Sequence, residues 1–280
     1  MQSKYKLTIA MRIYPGISKT PVFYSNNKFK LVELSLQSLK LCIGTISTKI
    51  YFILDGCPIE YEELVLKYFS KENTSIEHTH SIGNNASFRR QLEILSSQTD
   101  SEYIYFAEDD YLYRPGQFES MIHFMEANEN IDFITCYDHQ DYYSHPIHNY
   151  EMKTMQFESF QWKSVCSTCC TFLSRRDTLN KTMKHFMTYS KGNNDCAMWL
   201  SLTKKHIYNP FAYIKFFFKN KEAFNILKTG IKYGFVNYFR FKEYHLWVRV
   251  PSVATHLESF LLAPHIDWEQ VKNEVETAYQ

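Results

Sequence analysis

The sequence lacks any strong excess of charge and any long apolar run. Its 31 basic and 30 acidic residues leave a formal net charge of +1, whereas bulk nucleic-acid binders usually carry a clear basic excess. No stretch approaches the roughly 20 uninterrupted apolar residues that a helix needs to span a bilayer. Residues 1–5 are polar and lead directly into a predicted strand, so we expect no signal peptide. These absences argue against a nucleic-acid binder and against an integral membrane protein.

The sequence also lacks the cysteine pattern of a disulfide-stapled secreted domain. It has seven cysteines, an odd number, and four of them are scattered through apolar segments. The other three, Cys166, Cys169 and Cys170, lie close together, but no second cysteine pair follows at the spacing of a zinc site. We therefore expect buried thiols in a reducing compartment, and a cytoplasmic protein.

Short apolar runs and helix-like segments alternate through the first half of the chain. Runs rich in β-branched and aromatic residues predict five strands, at residues 7–13, 49–54, 75–79, 101–107 and 131–137. The segments between them carry apolar residues at helical spacing. This alternation predicts an α/β fold in which helices flank a mostly parallel sheet.

The stretch at residues 103–111 is an apolar, aromatic run that ends in three consecutive acids, Glu108, Asp109 and Asp110. Carboxylates at the end of a buried strand repel one another and are costly to desolvate. A divalent cation that prefers oxygen ligands, Mn²⁺ or Mg²⁺, would remove that penalty. Ligands of open α/β sheets bind at the carboxyl ends of strands, where this cluster falls. The alternative is a solvated acidic turn before the next helix.

The ends of the first two predicted strands also carry polar side chains. Arg12 and Tyr14 lie at the end of the first strand, and Asp55 ends the second. Asp55 could accept hydrogen bonds from a base or a ribose. The alternative is an Asp-Gly turn, which needs no such function.

A helix start follows the third predicted strand. Gly83, Asn84 and Asn85 form a tight turn, and the first turns of the helix carry Arg89 and Arg90. Because cations are unfavourable near the positive end of a helix dipole, we expect one of these arginines to meet a carboxylate or a phosphate. The other is expected to be solvated.

In their order and spacing these features resemble the GT-A fold glycosyltransferases, and most of all the inverting family 2 enzymes. The likeness covers about residues 5–205. It rests on the first strand with its loop, the strand that ends in Asp55, the helix start at 83–89 and the acidic cluster. The acidic cluster takes the place of the family's DxD motif, here in an EDD variant. The resemblance implies a Rossmann-like GT-A sheet and a nucleotide-sugar donor.

The resemblance also implies roles for the residues. Asp110 would bind the metal ion, while Glu108 and Asp109 would contact the ribose or a water next to the metal. Further contacts to the donor would come from Asp55 at the base and from Arg12, Tyr14, Asn84 and Arg89. The metal ion would offset the charge that grows on the departing diphosphate.

Two more candidates lie later in the chain. The family places an acidic residue at the start of a helix in the acceptor half, and Asp195 fits that place as the general base, although the Glu that usually precedes it is Asn194 here. Asp195 could equally be the N-cap of that helix. Some family members bring a late His to the metal, for which His256 is the candidate; a single His is more often structural.

We predict a catalytic domain at residues 1–205, with a nucleotide-sugar half at 1–137 and an acceptor half at 138–205. The acceptor half has two predicted strands and two predicted helices, at residues 154–160, 167–173, 177–188 and 195–205. Residues 206–280 are expected to form a helical extension, rich in aromatic and basic residues, that packs on this domain or on a membrane.

The segment at residues 205–242 carries eight Lys or Arg and a single acid, Glu222, together with many Phe and Tyr. Basic and aromatic residues in one segment are typical of a surface that contacts anionic lipid. The alternative is a helical insertion that packs its aromatic side on the catalytic domain. On the first interpretation, the protein would be peripheral on the inner face of the cell membrane, where a lipid-linked acceptor would be.

The resulting expectation is a metal-dependent inverting glycosyltransferase. It would move a sugar from a nucleotide-sugar, with UDP favoured over dTDP or GDP, to a hydroxyl of a glycan or lipid-linked glycan, as in bacterial surface polysaccharide synthesis. One alternative is a nucleotidyltransferase, for which the loop at residues 13–16 is poor in glycine. The other is a non-catalytic carbohydrate-binding relative.

Overall fold

The computed structural model describes residues 3–17, 20–238 and 242–280, with the backbone alone for residues 236–238. The strands are β1 (Leu7–Ile13), β2 (Thr48–Asp55), β3 (Thr74–Thr79), β4 (Tyr103–Ala107), β5 (Tyr111–Tyr113), β6 (Phe133–Thr135), β7 (Thr154–Phe157), β8 (Phe160–Val165), β9 (Leu173–Arg175), β10 (Leu246–Val250) and β11 (Ala254–His256). The helices are α1 (Lys28–Ile43), α2 (Glu60–Tyr68), α3 (Gly83–Ser97), α4 (Glu119–Ala127), α5 (Asp141–Ser144), α6 (Arg176–Phe186), α7 (Asp195–Thr203), α8 (Pro210–Lys219), α9 (Lys221–Tyr238) and α10 (Trp268–Thr277).

The main sheet has the strand order β3-β2-β1-β4-β9-β6-β10-β8-β7. The first four strands are parallel neighbours, and β6 is parallel to β10. β9 runs antiparallel to β4 and β6, and β8 runs antiparallel to β10 and β7. Of the nine described strands of the main sheet, seven therefore run in the same direction. This confirms the predicted α/β fold with a mostly parallel sheet between helices.

The central strands are buried on both faces, as parallel strands covered by helices must be. Leu7, Ile9 and Met11 of β1 pack in one part of the core, whereas Ala10 points to the other, because side chains alternate along a strand. Helices α1, α2, α4 and α10 cover the first face, and α3, α6 and α7 cover the second. The central strands are therefore packed against helices on both faces.

Helices α8 and α9 pack on α7 through a third, smaller cluster that includes Leu200, Phe216 and Leu227. Gly230 and Gly234 of α9 lie close to Ser201 of α7, and an added Cβ at Gly234 would fall 2.3 Å from its hydroxyl oxygen. None of the helices in the described ranges is long and apolar enough to cross a bilayer.

The predicted strand at residues 167–173 is wrong, because most of that segment is a loop before β9. Some of its backbone carbonyls accept hydrogen bonds from side chains: the hydroxyl of Tyr142 donates to Ser167 O at 2.7 Å, and Trp199 Nε1 donates to Cys169 O at 3.4 Å. These carbonyls are therefore satisfied without a strand partner.

The predicted division at residue 205 does not follow the edge of the sheet. β10 lies between β6 and β8 inside the main sheet. Its residues Leu246 and Val248 pack on one face while Trp247 packs on the other. A central strand thus comes from the segment that was predicted to be an extension, whereas the described residues of α8 and α9 pack in the third cluster.

Candidate active site

The three acids follow β4, the buried strand next to β1, and lead directly into β5. β5 pairs antiparallel with β11 in a register that sets Tyr111 opposite His256. This pairing brings residues 146 positions apart together, with His256 Nε2 3.2 Å from Asp110 Oδ2. The acidic cluster and His256, both predicted from sequence, therefore lie at one site.

The pKa values of this cluster reflect burial and mutual contact. Burial and the neighbouring Asp110 raise the pKa of Glu108 to about 7. Burial opposes ionisation of Asp110 as well, but His256 outweighs it and keeps the pKa of Asp110 below its ordinary value. Burial lowers the pKa of His256, but Asp110 and Glu108 raise it by more, so the net shift is upward. The contact between Asp110 and His256 thus favours the ionised form of Asp110 and the protonated form of His256.

Asp109 is engaged on both oxygens within the protein. Its Oδ1 accepts from Lys28 Nζ at 2.7 Å, and its Oδ2 accepts from the backbone N–H of Tyr14 at 2.7 Å. Burial raises the pKa of Asp109, and Lys28 opposes that shift. Asp109 thus ties the loop after β1 and the start of α1 to the end of β4. The ribose contact that the resemblance implies for it would have to compete with these bonds.

The chemistry of the site suits a divalent cation shared with a ligand. Oδ1 of Asp110 is buried and has no hydrogen-bond partner, and a cation is the kind of partner that such an oxygen needs. Among the residues described, no group of three or more His, Cys, Asp or Glu side chains is arranged around a metal position. Mg²⁺ and similar ions are commonly held by one or two carboxylates plus substrate phosphates. Asp110, with His256 beside it, fits that arrangement.

Asp55 is fully buried at the end of β2, and its carboxylate organises the start of α3. Its Oδ1 accepts from the backbone N–H of Ile82 at 2.7 Å and its Oδ2 from that of Gly83 at 3.0 Å. It also accepts hydrogen bonds from Thr79, Ser87 and Arg12. Burial alone would raise the pKa of Asp55, but these donors outweigh it and lower the pKa. The carboxylate is saturated by the chain itself, so direct contact with a base would displace one of these donors.

Arg12 links the other predicted donor-binding residues to Asp55. Its guanidinium lies 3.1 Å from Asp55 Oδ2 and 3.4 Å from Asn84 Oδ1, and stands 5.2 Å from the centre of the Tyr14 ring. Tyr14 is 38% exposed, so the ring borders solvent beside the buried carboxylates. Arg12, Tyr14, Asp55 and Asn84 therefore form one connected group.

Arg89 does not join that group. Its Nε donates to Glu93 one helical turn later at 2.9 Å, and its side chain is more than half exposed. Arg90 is bidentate to Glu77 of β3. The expectation that a cation in the first turns of α3 meets a carboxylate holds, but the carboxylates belong to α3 and β3 themselves.

Asp195 is the first residue of α7, and the cap of that helix is its neighbour. Asn194 Oδ1 accepts from Ala197 N at 2.8 Å, so Asn194, not Asp195, is the N-cap. Asp195 accepts from Cys196 N at 2.8 Å and lines a cavity of about 670 Å³. His139, Asp141, His145, Cys169 and Glu222 also line it.

The loop around Cys169 lines this cavity and also approaches the acidic cluster. Burial, Asp195, Glu108 and Asp110 together raise the pKa of the Cys169 thiol. Burial lowers the pKa of His139. His256 acts in the same direction, whereas Asp141 and Asp195 raise the pKa. The hydroxyl of Thr171, on the same loop, donates to Glu108 at 3.2 Å. Cys169 is therefore within electrostatic reach of both Asp195 and the acidic cluster.

Sequence reasoning missed Lys28 and Thr171. Lys28 carried a signal, because a lysine as the first residue of an apolar helix opposes the helix dipole unless it has an acidic partner. The same reasoning was applied to Arg89, where the partner is local. Nothing in the sequence marked Thr171, since its contact with Glu108 depends on the path of its loop.

Comparison with known proteins gives a family and several distant structures. The profile for glycosyl transferase family 2 matches residues 27–181, more than half of the chain. TarS of S. aureus in complex with UDP is similar with a TM-score of 0.45 and 13% identity, over 70% of this chain and 54% of that one. The CMP:2-keto-3-deoxy-manno-octonic acid synthetase complexed with CTP has a TM-score of 0.39 and 11% identity, over 64% of this chain and 78% of that one.

A mannosyltransferase from Pyrobaculum calidifontis in complex with GDP-Man and Mn²⁺ has a TM-score of 0.35 and 10% identity, over 48% of this chain and 35% of that one. The chain spans about half the length of the TarS structures with UDP and UDP-GlcNAc. No curated protein matches the chain.

Proposed function

This chain belongs to glycosyl transferase family 2, and we propose that it is a metal-dependent, inverting enzyme. The donor is a nucleotide-sugar, with a UDP-sugar as the first choice, and the acceptor is a hydroxyl of a glycan or lipid-linked glycan. The seven unpaired cysteines support a cytoplasmic site of action.

The observation that carries this proposal is the pairing of Asp110 with His256. One oxygen of Asp110 is buried without a hydrogen bond, and the other lies 3.2 Å from His256 Nε2. We assign Asp110 as the metal ligand and His256 as a second ligand. A bound Mn²⁺ or Mg²⁺ ion would stabilise the negative charge on the leaving diphosphate.

The group formed by Arg12, Tyr14 and Asn84 is proposed to contact the nucleotide. Arg12 and Asn84 lie side by side, and the partly exposed ring of Tyr14 offers a face for stacking. Asp55 acts through them, because its carboxylate holds Arg12 and the first residues of α3. Asp55 is therefore proposed as a positioning residue. Arg89 is not proposed to contact the nucleotide-sugar, since it forms an ion pair with Glu93.

Asp195 is proposed as the general base that takes the proton of the acceptor hydroxyl. It lines a cavity large enough for a sugar unit, and the N-cap role that would otherwise explain it belongs to Asn194. With one base on the acceptor side and no second carboxylate required as a nucleophile, the acceptor oxygen attacks the anomeric carbon directly and the configuration inverts. The oxygen–carbon bond forms as the bond to the diphosphate breaks.

The test is to incubate the protein with a panel of nucleotide-sugars and Mn²⁺ and to follow release of the free nucleoside diphosphate. The expected result is release from one class of donor, lost on chelation and restored by Mn²⁺. A parallel panel of nucleoside triphosphates with sugar phosphates tests the nucleotidyltransferase alternative, which would release pyrophosphate instead. Release of pyrophosphate, or no turnover of any donor with any acceptor, would reject the proposal.

A further inference from the structure

We propose that the exposed face of α8 docks this chain on an anionic lipid bilayer. The face is formed by Phe211, Ile214, Phe217 and Phe218, and it is named the α8 face below. The sequence pointed to a broad segment at 205–242, and the structure narrows the contact to one side of one helix. The proposal concerns binding alone and stands independently of the sugar-transfer function.

The α8 face is opposite the side that holds α8 on the protein. Ala212 and Phe216 are buried against α7 and α9. The four residues of the α8 face are spaced three and four positions apart, so they share one side of the helix. Their side chains are 77, 58, 60 and 79% exposed, respectively. A short helix thus presents four large apolar side chains to solvent while it anchors itself through two others.

Such a concentration of exposed apolar residues is unusual on a folded surface. Single exposed apolar residues are common and need no explanation, but contiguous apolar patches mark surfaces that contact another phase or a partner. The rings of Phe217 and Phe218 contact each other, with centroids 5.0 Å apart, so the apolar surface is continuous there. Transfer of these groups out of water is favourable.

The charges around the α8 face favour anionic lipid as the partner. Lys215 and Lys219 are exposed on α8, and Lys221, Lys228 and Lys232 are exposed on α9. From residue 204 to residue 235 the sequence has seven lysines and one acid, Glu222. An excess of lysine around an apolar aromatic face matches the negative surface of a bilayer, where each such residue near the surface strengthens binding.

The length of α8 defines how it would lie. Its 10 residues extend only about 15 Å along the helix axis, too short to cross the roughly 30 Å apolar layer of a bilayer. The buried side of α8 is also fixed on α9. The helix would therefore lie in the plane of the interface, with the α8 face among the upper acyl chains and the lysines at the headgroups.

The position of α8 connects this surface to the candidate active site. Helix α9 follows α8 directly, and its residues Lys221, Glu222 and Asn225 line the cavity that contains Asp195. A protein docked through α8 would therefore hold that cavity near the membrane. If the proposed function holds, this favours a lipid-linked acceptor over a free glycan.

The test is co-sedimentation of the full chain with vesicles, without donor or acceptor. One set of vesicles contains equal parts of phosphatidylglycerol and phosphatidylcholine, and the other contains phosphatidylcholine alone. We expect binding to the first set, weakened by salt, and little binding to the second. The variant Phe211→Ser/Phe218→Ser should bind the anionic vesicles at least about tenfold more weakly.

A second variant tests the lysines separately. Lys215→Gln/Lys219→Gln should weaken binding to anionic vesicles by about 30-fold, on the basis of about fivefold for each lysine near the surface. Two matched controls should bind as the wild type does. Ile59→Ser removes a 60% exposed apolar side chain at the start of α2, and Lys71→Gln/Lys153→Gln removes two exposed lysines elsewhere.

Circular dichroism and thermal melting would confirm that each variant is folded. The proposal is overturned if the wild type does not sediment with anionic vesicles, or if both α8 variants bind as the controls do. It is also overturned if the wild type is a dimer that Phe211→Ser/Phe218→Ser converts to a monomer without any vesicle binding, because the α8 face would then be an interface between two copies.

Discussion

The ammonium group of Lys28 lies 2.7 Å from Oδ1 of Asp109, and both side chains are almost wholly removed from solvent. The pair joins the first residue of α1 to the acidic cluster after β4. It neutralises the middle acid inside the protein and leaves Asp110 as the acid with an unsatisfied oxygen. The three consecutive acids are therefore not equivalent, and their differences can be tested.

The first prediction concerns the buried pair itself. Lys28→Met should lower the free energy of unfolding by about 3–5 kcal/mol, because it leaves the Asp109 carboxylate buried without a charged partner. Lys28→Met/Asp109→Asn should recover much of that loss, since no unpaired charge remains. Urea denaturation of both variants measures the effect. A loss below about 1 kcal/mol, as for an exposed ion pair, would contradict the prediction.

The second prediction separates Asp110 from Asp109. Asp110→Asn should lower turnover by at least about 10²-fold and weaken the response to Mn²⁺, because it removes the charge that holds the ion. Its thermal stability should fall less than that of Asp109→Asn, since Asp110 has a side-chain contact on one oxygen only, to His256, whereas Asp109 is bonded on both. Asp109→Asn should mainly reduce stability. Turnover measured against Mn²⁺ concentration, together with melting curves for both variants, checks the prediction. Equal metal dependence of turnover in the wild type and Asp110→Asn would refute the assignment of Asp110 as the metal ligand.

The third prediction concerns the proposed base. Asp195→Asn should lower turnover about 10²- to 10⁴-fold while the affinity for the donor stays the same, because a general base acts on the acceptor proton alone. Asp141→Asn is the matched control, since Asp141 lines the same cavity without the proposed role. Donor affinity from calorimetry and turnover from product release are the two readouts. A fall in donor affinity equal to the fall in turnover would show that Asp195 acts in binding.

The fourth prediction concerns stability against pH, far from the site. The contact with Asp132 raises the pKa of His245. Burial opposes ionisation of Asp132, but His245 and Lys242 outweigh it and lower the pKa of Asp132. The stability that His245 contributes is complete below the unfolded value of about 6.5 and is lost as pH rises through its raised pKa. The contribution of Asp132 is present above about pH 3.9 and is lost as pH falls through its lowered pKa.

His245→Gln should therefore differ most from the wild type between about pH 4 and pH 6.5, where both groups are charged. Melting temperatures measured across this range provide the check. At alkaline pH, above the raised pKa of His245, the two proteins should differ less. A constant difference at every pH would mean that His245 contributes packing alone.

Much of the fold followed from local patterns in the sequence. The alternation of β-rich runs and helical segments predicted five strands of the sheet, and the acids after the fourth strand predicted a site at its end. The strand predictions succeed because a strand buried on both faces needs a short apolar run. The site at the end of the fourth strand stays a prediction. The run of Ser, Thr and Cys at 167–173 gave a false signal, since carbonyls of Ser167 and Cys169 accept hydrogen bonds from side chains of α5 and α7 instead of from a neighbouring strand.

The sequence by itself determined which residue types stand at two strand ends and one helix start: the acids at 108–110, Asp55, and the Asn194-Asp195 pair before an apolar helix. Only the tertiary structure decided how their charges are used. In the folded chain Asp109 pairs with Lys28, Asp55 pairs with Arg12 and the start of α3, and Asp110 pairs with His256. The physical reason is that a buried carboxylate takes its partners from whichever donors the packing brings within about 3 Å. Those donors lie 43, 81 and 146 residues away in the chain, beyond the reach of any local pattern.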